Sequence, residues 1–365
     1  MKASKAVARK AARTPAELGY RMPAEWEPHA ATWIAWPHNP QDWPGRFQPI
    51  PWVYAEIVRH LSRAERVHIL VNDAAERARA RKVLKDASVS TEQVSFHLWP
   101  TDRVWTRDSG AIFLRRECDG KREVAATDWK FNAWAKYSDW KRDNLVAAKM
   151  AREIGAEVFE PVAEVKGKSA RVVLEGGSID VNGQGTLLTT EECLLSEVQQ
   201  RNPGLSRAGI ERVFADWLGV TKVIWLKRGI AGDDTHGHVD DIARFVAVDT
   251  VVAAVEENRK DENHLPLQEN LELLRSSHDG KNLRVVTIPM PAPVVFKGQR
   301  LPASYANFYV ANGLVLVPTF DDPNDVVALN ILAGLFPSRK VVGIYCGDFI
   351  WGLGAIHCMT QQEPG

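Results

Sequence analysis

The sequence predicts an α/β protein built from repeated supersecondary units. Two patterns carry that reading. Capped amphipathic helices alternate with short apolar runs from Tyr20 onward, with no low-complexity stretch or linker between them. Reactive side chains recur along the same path. Asp108, Glu175, His238, Asn307 and Cys358 follow one another at steps of roughly 50 to 70 residues, about one helix and a few strands per step. Any α/β chain alternates helices and strands, so the spacing alone leaves coincidence open. If the units close around an axis, equivalent turns meet at its centre and bring those five segments together.

Helices are expected at about 52–64, 141–154, 206–218, 264–276 and 323–336. The first carries Tyr54, Ile57, Val58 and Leu61 on one face. The third places Ile210, Val213, Phe214 and Trp217 on one stripe, opens at Ser206 and stops at Gly219. The fifth opens with Asp322-Pro323 and carries Leu329, Leu332, Ala333 and Phe336. Between them, runs 67–71, 111–114, 223–226, 245–248, 251–255 and 314–317 read as buried strands.

The chain has 365 residues, 45% of them hydrophobic, which is ample for a large core. That length permits two or three domains or one large closed fold. Lys+Arg and Asp+Glu both total 46, so no whole-protein attraction to nucleic acid or an anionic membrane is expected. Cys118, Cys193, Cys346 and Cys358 form no CxxC pair. This argues against a disulfide framework or a cysteine-rich zinc module and fits a reducing, cytoplasmic setting. Residues 1–20 read as a flexible basic arm, with Lys2, Lys5, Arg9, Lys10 and Arg13 and no apolar core of signal-peptide type. Residues 21–365 read as a single catalytic domain. No apolar run approaches the ~20 residues of a membrane helix. The 13 tryptophans are mostly assigned to packing, with a cation-lining role open for a few.

Cys358 stands apart from the other cysteines because it lies in the glycine-rich, polar segment Gly352-Leu-Gly-Ala-Ile-His-Cys-Met-Thr-Gln-Gln362. A thiolate is a strong nucleophile where its setting favours ionisation. Cys118, Cys193 and Cys346 are read as small buried hydrophobes. The stretch Gly232-Asp-Asp-Thr-His-Gly-His-Val-Asp-Asp241 holds two histidines and four aspartates. In an extended segment His238 and Asp240 project from one face and can move protons beside a bound cation. A metal site on His236, His238 and Asp240 is the alternative, and a solvated acidic loop the bland one. Asp108 in Trp105-Thr-Arg-Asp-Ser-Gly110 and Glu175 in Leu174-Glu-Gly-Gly177 are weak signals singly. Together, several carboxylates, a histidine and a cysteine imply a positive, planar substrate. A guanidinium fits, held by paired N–H bonds to carboxylates with Trp105 over its face or its alkyl chain.

These motifs, with Met22-Pro-Ala-Glu-Trp-Glu-Pro-His29, Thr32-Trp-Ile-Ala-Trp-Pro37, Ser304-Tyr-Ala-Asn-Phe308 and Ile356-His-Cys-Met-Thr-Gln-Gln362, resemble the agmatine deiminases. They belong to a superfamily of guanidine-modifying enzymes that includes arginine deiminases and bacterial peptidyl-arginine deiminases. The resemblance runs from Arg21 nearly to the C-terminus. It implies a closed five-fold pseudosymmetric α/β propeller of ββαβ-type repeats, no cofactor or metal, and a homo-oligomer such as a dimer. It implies Cys358 as nucleophile, His238 as acid and base, Glu175 as the residue that orients His238, and Asp108 and Asp240 as the guanidinium grip. Trp105, Asp234 and Asn307 would contact substrate, Asp234 at the distal ammonium of agmatine. Gly352-Leu-Gly-Ala355 departs from the family's glycine run, so Leu353 and Ala355 are expected to reshape the pocket wall. A peptidyl-arginine deiminase is the nearest alternative. A metal-dependent amidinohydrolase and a non-catalytic binder of arginine-like cations are more distant ones.

Overall fold

The computed structural model describes residues 13–277 and 283–365. Most of the expected N-terminal arm therefore lies outside the described residues. Ala16–Leu18 form a single 3-10 turn, and Tyr20 is buried with its ring 5.9 Å from that of Phe159.

One pairing pattern recurs in five sheets among the described residues. Two strands pair antiparallel, helix follows, and a third strand pairs parallel to the second. Ile112–Cys118, Lys121–Thr127 and Glu157–Phe159 do this first. Asp180–Val181, Thr186–Thr190 and Lys222–Leu226 repeat it, as do Ala243–Ala247, Thr250–Val255 and Arg284–Pro289. Tyr309–Ala311, Leu314–Thr319 and Lys340–Tyr345 form the next unit. The last joins the chain ends: Gln361–Pro364 pairs antiparallel with His29–Ala35, which pairs parallel with Arg66–Val71, and Val94–Leu98 extends the sheet. The physical reason for the alternation is connection length. Antiparallel neighbours are joined by tight turns, whereas a parallel pair needs a crossover, and the helix supplies it.

The expected helices are present at Ile50–Ala64, Val146–Glu153, Arg207–Leu218, His264–Ser276 and Asn324–Leu335. The second is shorter than expected, because its first turn is the 3-10 segment Asp143–Leu145. Ser206 caps Arg207–Leu218 by accepting from the Gly209 N–H at 3.2 Å, and Gly219 ends it at φ +69°. Ala74–Asp86 was not expected as a helix. It is rich in Arg and Lys and buries only Glu76, Ala80 and Leu84, so its apolar stripe is thin. Its start is nevertheless encoded: Asp73 accepts from the Glu76 N–H at 2.7 Å, and Glu76 reaches back to the Asn72 N–H. Trp33, Trp36, Trp43, Trp105 and Trp134 all pack in the largest core. Among the described residues no helix is long and apolar enough to cross a membrane.

Buried charge ties the units together beneath the site. Glu25 lies 2.9 Å from Arg244, 2.8 Å from His357 and 3.4 Å from Arg107. Burial raises its pKa, but Arg244, His357 and Arg107 outweigh that and hold it well below the usual carboxylate range. The stabilisation is therefore present above the unfolded pKa and is lost as pH falls through the folded one. Glu25→Ala leaves two guanidinium groups without this partner and is expected to cost about 3–5 kcal/mol, read by urea unfolding at neutral pH.

Candidate active site

The repeat explains how distant residues meet. In each unit the reactive side chain sits just ahead of the first strand. Asp108 lies in the turn Thr106–Ser109 before Ile112–Cys118, and Glu175 precedes the turn Gly176–Ser178 before Asp180–Val181. His238 and Asp240 flank the start of the turn Val239–Asp241 before Ala243–Ala247. Asn307 precedes Tyr309–Ala311, and Cys358 precedes Gln361–Pro364. A cavity of about 560 Å³ opens above them, lined by Trp105, Asp108, Trp134, Tyr137, Asp234 and Cys358, among others.

His238 is at the centre of the carboxylates and fully buried. Its Nδ1 lies 3.9 Å from Asp108 Oδ1 and 4.0 Å from Asp240 Oδ1; its Nε2 lies 3.7 Å from Glu175 Oε2. Neither ring nitrogen hydrogen-bonds among the described residues, nor do Asp240 Oδ1 and Glu175 Oε2. The neighbouring oxygens are fixed. Asp108 accepts from Trp134 Nε1 at 2.9 Å and from the Gly177 N–H at 3.0 Å. Asp240 Oδ2 accepts from His357 Nδ1 at 2.6 Å. Glu175 Oε1 accepts from Arg201 Nε at 3.1 Å, with both side chains wholly buried. The Cys358 sulfur lies 3.8 Å from Asp240 Oδ2 and 3.2 Å from Asn307 Nδ2.

These contacts set the charges. Burial pushes the Cys358 thiol well up, and Asp240, Asp241 and Asp108 push it further. Burial would lower the His238 pKa, but Asp108, Cys193 and Glu175 together raise it well above the ordinary value. Asp108 is pushed up to about 6 by burial and by Asp240 and Glu175, against His238 and the Trp134 bond. Glu175 and Asp240 end below their usual range despite burial, Glu175 through Arg201 and His238, Asp240 through His357 and His238. At neutral pH these shifts pair a neutral thiol with an imidazolium and with anionic carboxylates, Asp108 the most easily protonated of them. Only a cation brought among them favours the thiolate.

Gly177 makes the cradle possible. A Cβ there would lie 2.5 Å from His238 Nδ1 and 2.8 Å from Asp108 Oδ1. Both neighbours are buried, and Asp108 is held by Trp134, so there is no free space for the methyl group. Gly177→Ala is expected to lower kcat/KM by at least about 100-fold and, through overpacking, to lower the melting temperature by a few degrees. Steady-state kinetics beside a thermal melt checks this.

Several placements differ from expectation. Asn307 is fully buried behind the sulfur rather than in the cavity wall. Its Nδ2 donates to Asp241 at 2.9 Å and to Cys358, while its Oδ1 accepts from the His357 N–H at 3.0 Å. Those bonds shape the cysteine turn. Leu353 lines the cavity, in a left-handed conformation (φ +66°), whereas Ala355 is buried outside it. Trp105 and Asp234 do line the cavity. Asp234 is already paired with Lys136 and accepts from Tyr137 at 2.6 Å. Three contributors were not singled out by sequence: Trp134, Arg201 and Cys193. Cys193, read as a small packing residue, lies against His238 and Glu175.

The metal set suggested by the sequence is not assembled. His236 turns to Ser196, 3.2 Å away, and toward Glu192, lining a separate cleft. Among the described residues the ligand atoms that do gather are those of Glu175, Cys193 and His238, within 4.8 Å of one another. The Arg201 guanidinium at 3.1 Å from Glu175 places positive charge beside that group, which opposes a second cation there.

Comparison with known proteins agrees in extent and architecture. The chain is 37% identical to an agmatine deiminase of Pseudomonas aeruginosa, over 96% of this chain and 97% of that one. It superposes on the agmatine deiminase of Enterococcus faecalis with a TM-score of 0.87 and 32% identity, covering 98% of this chain and 99% of the other. A C. jejuni agmatine deiminase with substrate bound superposes with a TM-score of 0.83 and 29% identity, covering 95% and 96%. The family model for Porphyromonas-type peptidyl-arginine deiminase matches residues 21–364, nearly the whole chain. On that match, and on the close relatives that share its length, this chain belongs to the Porphyromonas-type peptidyl-arginine deiminase family.

Proposed function

We propose that this protein is an agmatine deiminase, hydrolysing the guanidinium of agmatine to N-carbamoylputrescine and ammonia through a covalent adduct on Cys358. The observation that carries the reading is the convergence of the Cys358 sulfur, the His238 imidazole and a ring of carboxylates, with Cys358 and Asp108 opening onto a cavity. The agmatine deiminases among its relatives support the substrate.

The chemistry follows from the charges. The guanidinium enters between Asp108 and Asp240, whose oxygens take its N–H groups. Its positive charge offsets the carboxylates that hold the Cys358 proton, so the thiol ionises as substrate binds; His238 is already protonated, so that proton passes to water in the cavity and is regained by the sulfur when the C–S bond later breaks. The thiolate attacks the central carbon and forms a C–S bond. His238, with Nδ1 facing the cradle, protonates one amino group, and the C–N bond breaks to release ammonia. An S-alkylamidino adduct remains on the sulfur. Glu175, itself held by Arg201, keeps His238 oriented from behind. Water attacks the same carbon while His238 takes its proton, the C–S bond breaks, and the urea product leaves. Atoms balance as agmatine plus water giving N-carbamoylputrescine plus ammonia. None of these steps calls on a metal or a cofactor.

We also read the five units as blades closed around an axis through the cavity, since every unit presents its pre-strand turn to one site and the C-terminal strand pairs with the first. A cytoplasmic homo-oligomer belongs to the same reading.

Ammonia release measured side by side with agmatine, free arginine and an arginine-containing peptide tests the function. Agmatine is expected to have the highest kcat/KM. Turnover confined to the peptide would assign the chain to protein modification instead, the activity for which the family model is described.

A further inference from the structure

Asp234, a carboxylate of the cavity wall, already holds a cation, and the protein supplies it. Lys136 pairs with Asp234 Oδ1, and the Tyr137 hydroxyl donates to Asp234 Oδ2 at 2.6 Å. Both carboxylate oxygens are taken by one short segment. Arg103, which lines that wall, is engaged by Asp42 at 2.8 Å and Asp139 at 3.2 Å.

The segment is built for this contact. Ala133, Trp134 and Ala135 take φ values of +50°, +57° and +53°. Three successive non-glycine residues in the left-handed region are costly and persist only where their surroundings fix them. Here Asn132 accepts from the Ala135 N–H at 2.9 Å, Gln199 donates to the carbonyls of Trp134 and Asp234 at 3.1 Å each, and Trp134 Nε1 donates to Asp108. One strained turn thus touches two carboxylates of the cavity wall, Asp108 and Asp234, and it sets Lys136 on the second.

We infer that Lys136 is a built-in competitor for the distal ammonium of the substrate, and so a specificity-determining residue of the reaction proposed above, on which this inference rests. An ammonium arriving at Asp234 exchanges with one already there. The Lys136 side chain is 39% exposed, so the displaced charge returns to water. Ion pairs exposed to that degree are weak, and the exchange is close to neutral. Asp234 therefore adds little preference for a guanidine with an amine tail while Lys136 is present. Without Lys136, the Asp234 side chain, only 16% exposed, has Tyr137 as its remaining bond in this pair of contacts. An incoming ammonium then neutralises a half-buried charge and gains affinity. A guanidine lacking the amine gains nothing.

The test compares KM for agmatine and for butylguanidine, which has the same chain without the amine, in the wild type, Lys136→Met and Lys136→Arg. Lys136→Met is expected to lower the agmatine KM by up to about fivefold without lowering the butylguanidine KM, while Lys136→Arg keeps the wild-type ratio. An agmatine KM that rises in Lys136→Met, or two KM values that fall together, overturns the inference. Wild-type protein that releases no ammonia from agmatine overturns the function itself, a result read from a different arm of the experiment.

Discussion

Cys358→Ala is expected to abolish ammonia release from agmatine, by at least about 10⁴-fold in kcat, while leaving the fold intact. The size of the effect follows from the mechanism: without sulfur there is no C–S bond, and water must attack a resonance-stabilised guanidinium unaided. The structural cost is small, because the substitution removes one buried atom whose contacts are Asn307 and Asp240, both held by other partners. Cys358→Ser is expected to fail as well, since a hydroxyl beside three carboxylates ionises even less readily than a thiol. Steady-state ammonia release together with circular dichroism and a melting curve checks both variants. Turnover within tenfold of wild type in Cys358→Ala would contradict the covalent route.

Asp240→Asn is expected to separate two properties that usually move together. Turnover should fall by at least about 10³-fold, because the amide cannot match the charge of the guanidinium through the step. Reactivity of Cys358 toward iodoacetamide near neutral pH should rise. After burial, Asp240 is the largest influence holding the thiol proton. Removing that negative charge lowers the thiol pKa toward its ordinary value of about 8.5, so more thiolate is present at a given pH. His357 still finds an acceptor in the amide oxygen, so the cysteine turn is kept. Alkylation rates from pH 6 to 9 read the sign directly. A slower or unchanged rate in Asp240→Asn would show that the carboxylates do not set the thiol's charge.

How much of this was legible in the sequence depended on whether a signal is local. Arg207–Leu218 was legible because Ser206, Gly219 and an apolar stripe all lie within one stretch. Ala74–Asp86 was not, because its apolar face is reduced to Ala80 and Leu84. The strand runs were legible as apolar stretches, but their parallel and antiparallel partners depend on contacts between distant segments. The reactive residues showed the same divide. Cys358, His238, Asp108, Asp240 and Glu175 stand in motifs whose composition is unusual for loops. Arg201 lies in the polar stretch 199–204, where nothing marks it as the buried partner of Glu175. Trp134 was one tryptophan among 13 until its indole was placed on Asp108. Asn307 stood out in its motif, but only the fold reveals that it faces the sulfur and the cysteine turn. The pairing of Lys136 with Asp234 is likewise a tertiary fact, spanning 98 residues of chain.

The central claim is that the Cys358 sulfur bonds to the guanidinium carbon during turnover. Acid-quenching the enzyme during steady-state turnover of agmatine and mapping its peptides by mass spectrometry tests this directly. The account expects the peptide containing Cys358 to carry the mass of agmatine less one ammonia, and the adduct to vanish once substrate is exhausted. Product accumulating at the full rate with that peptide unmodified at every quench time, or the added mass residing on another cysteine, would contradict it.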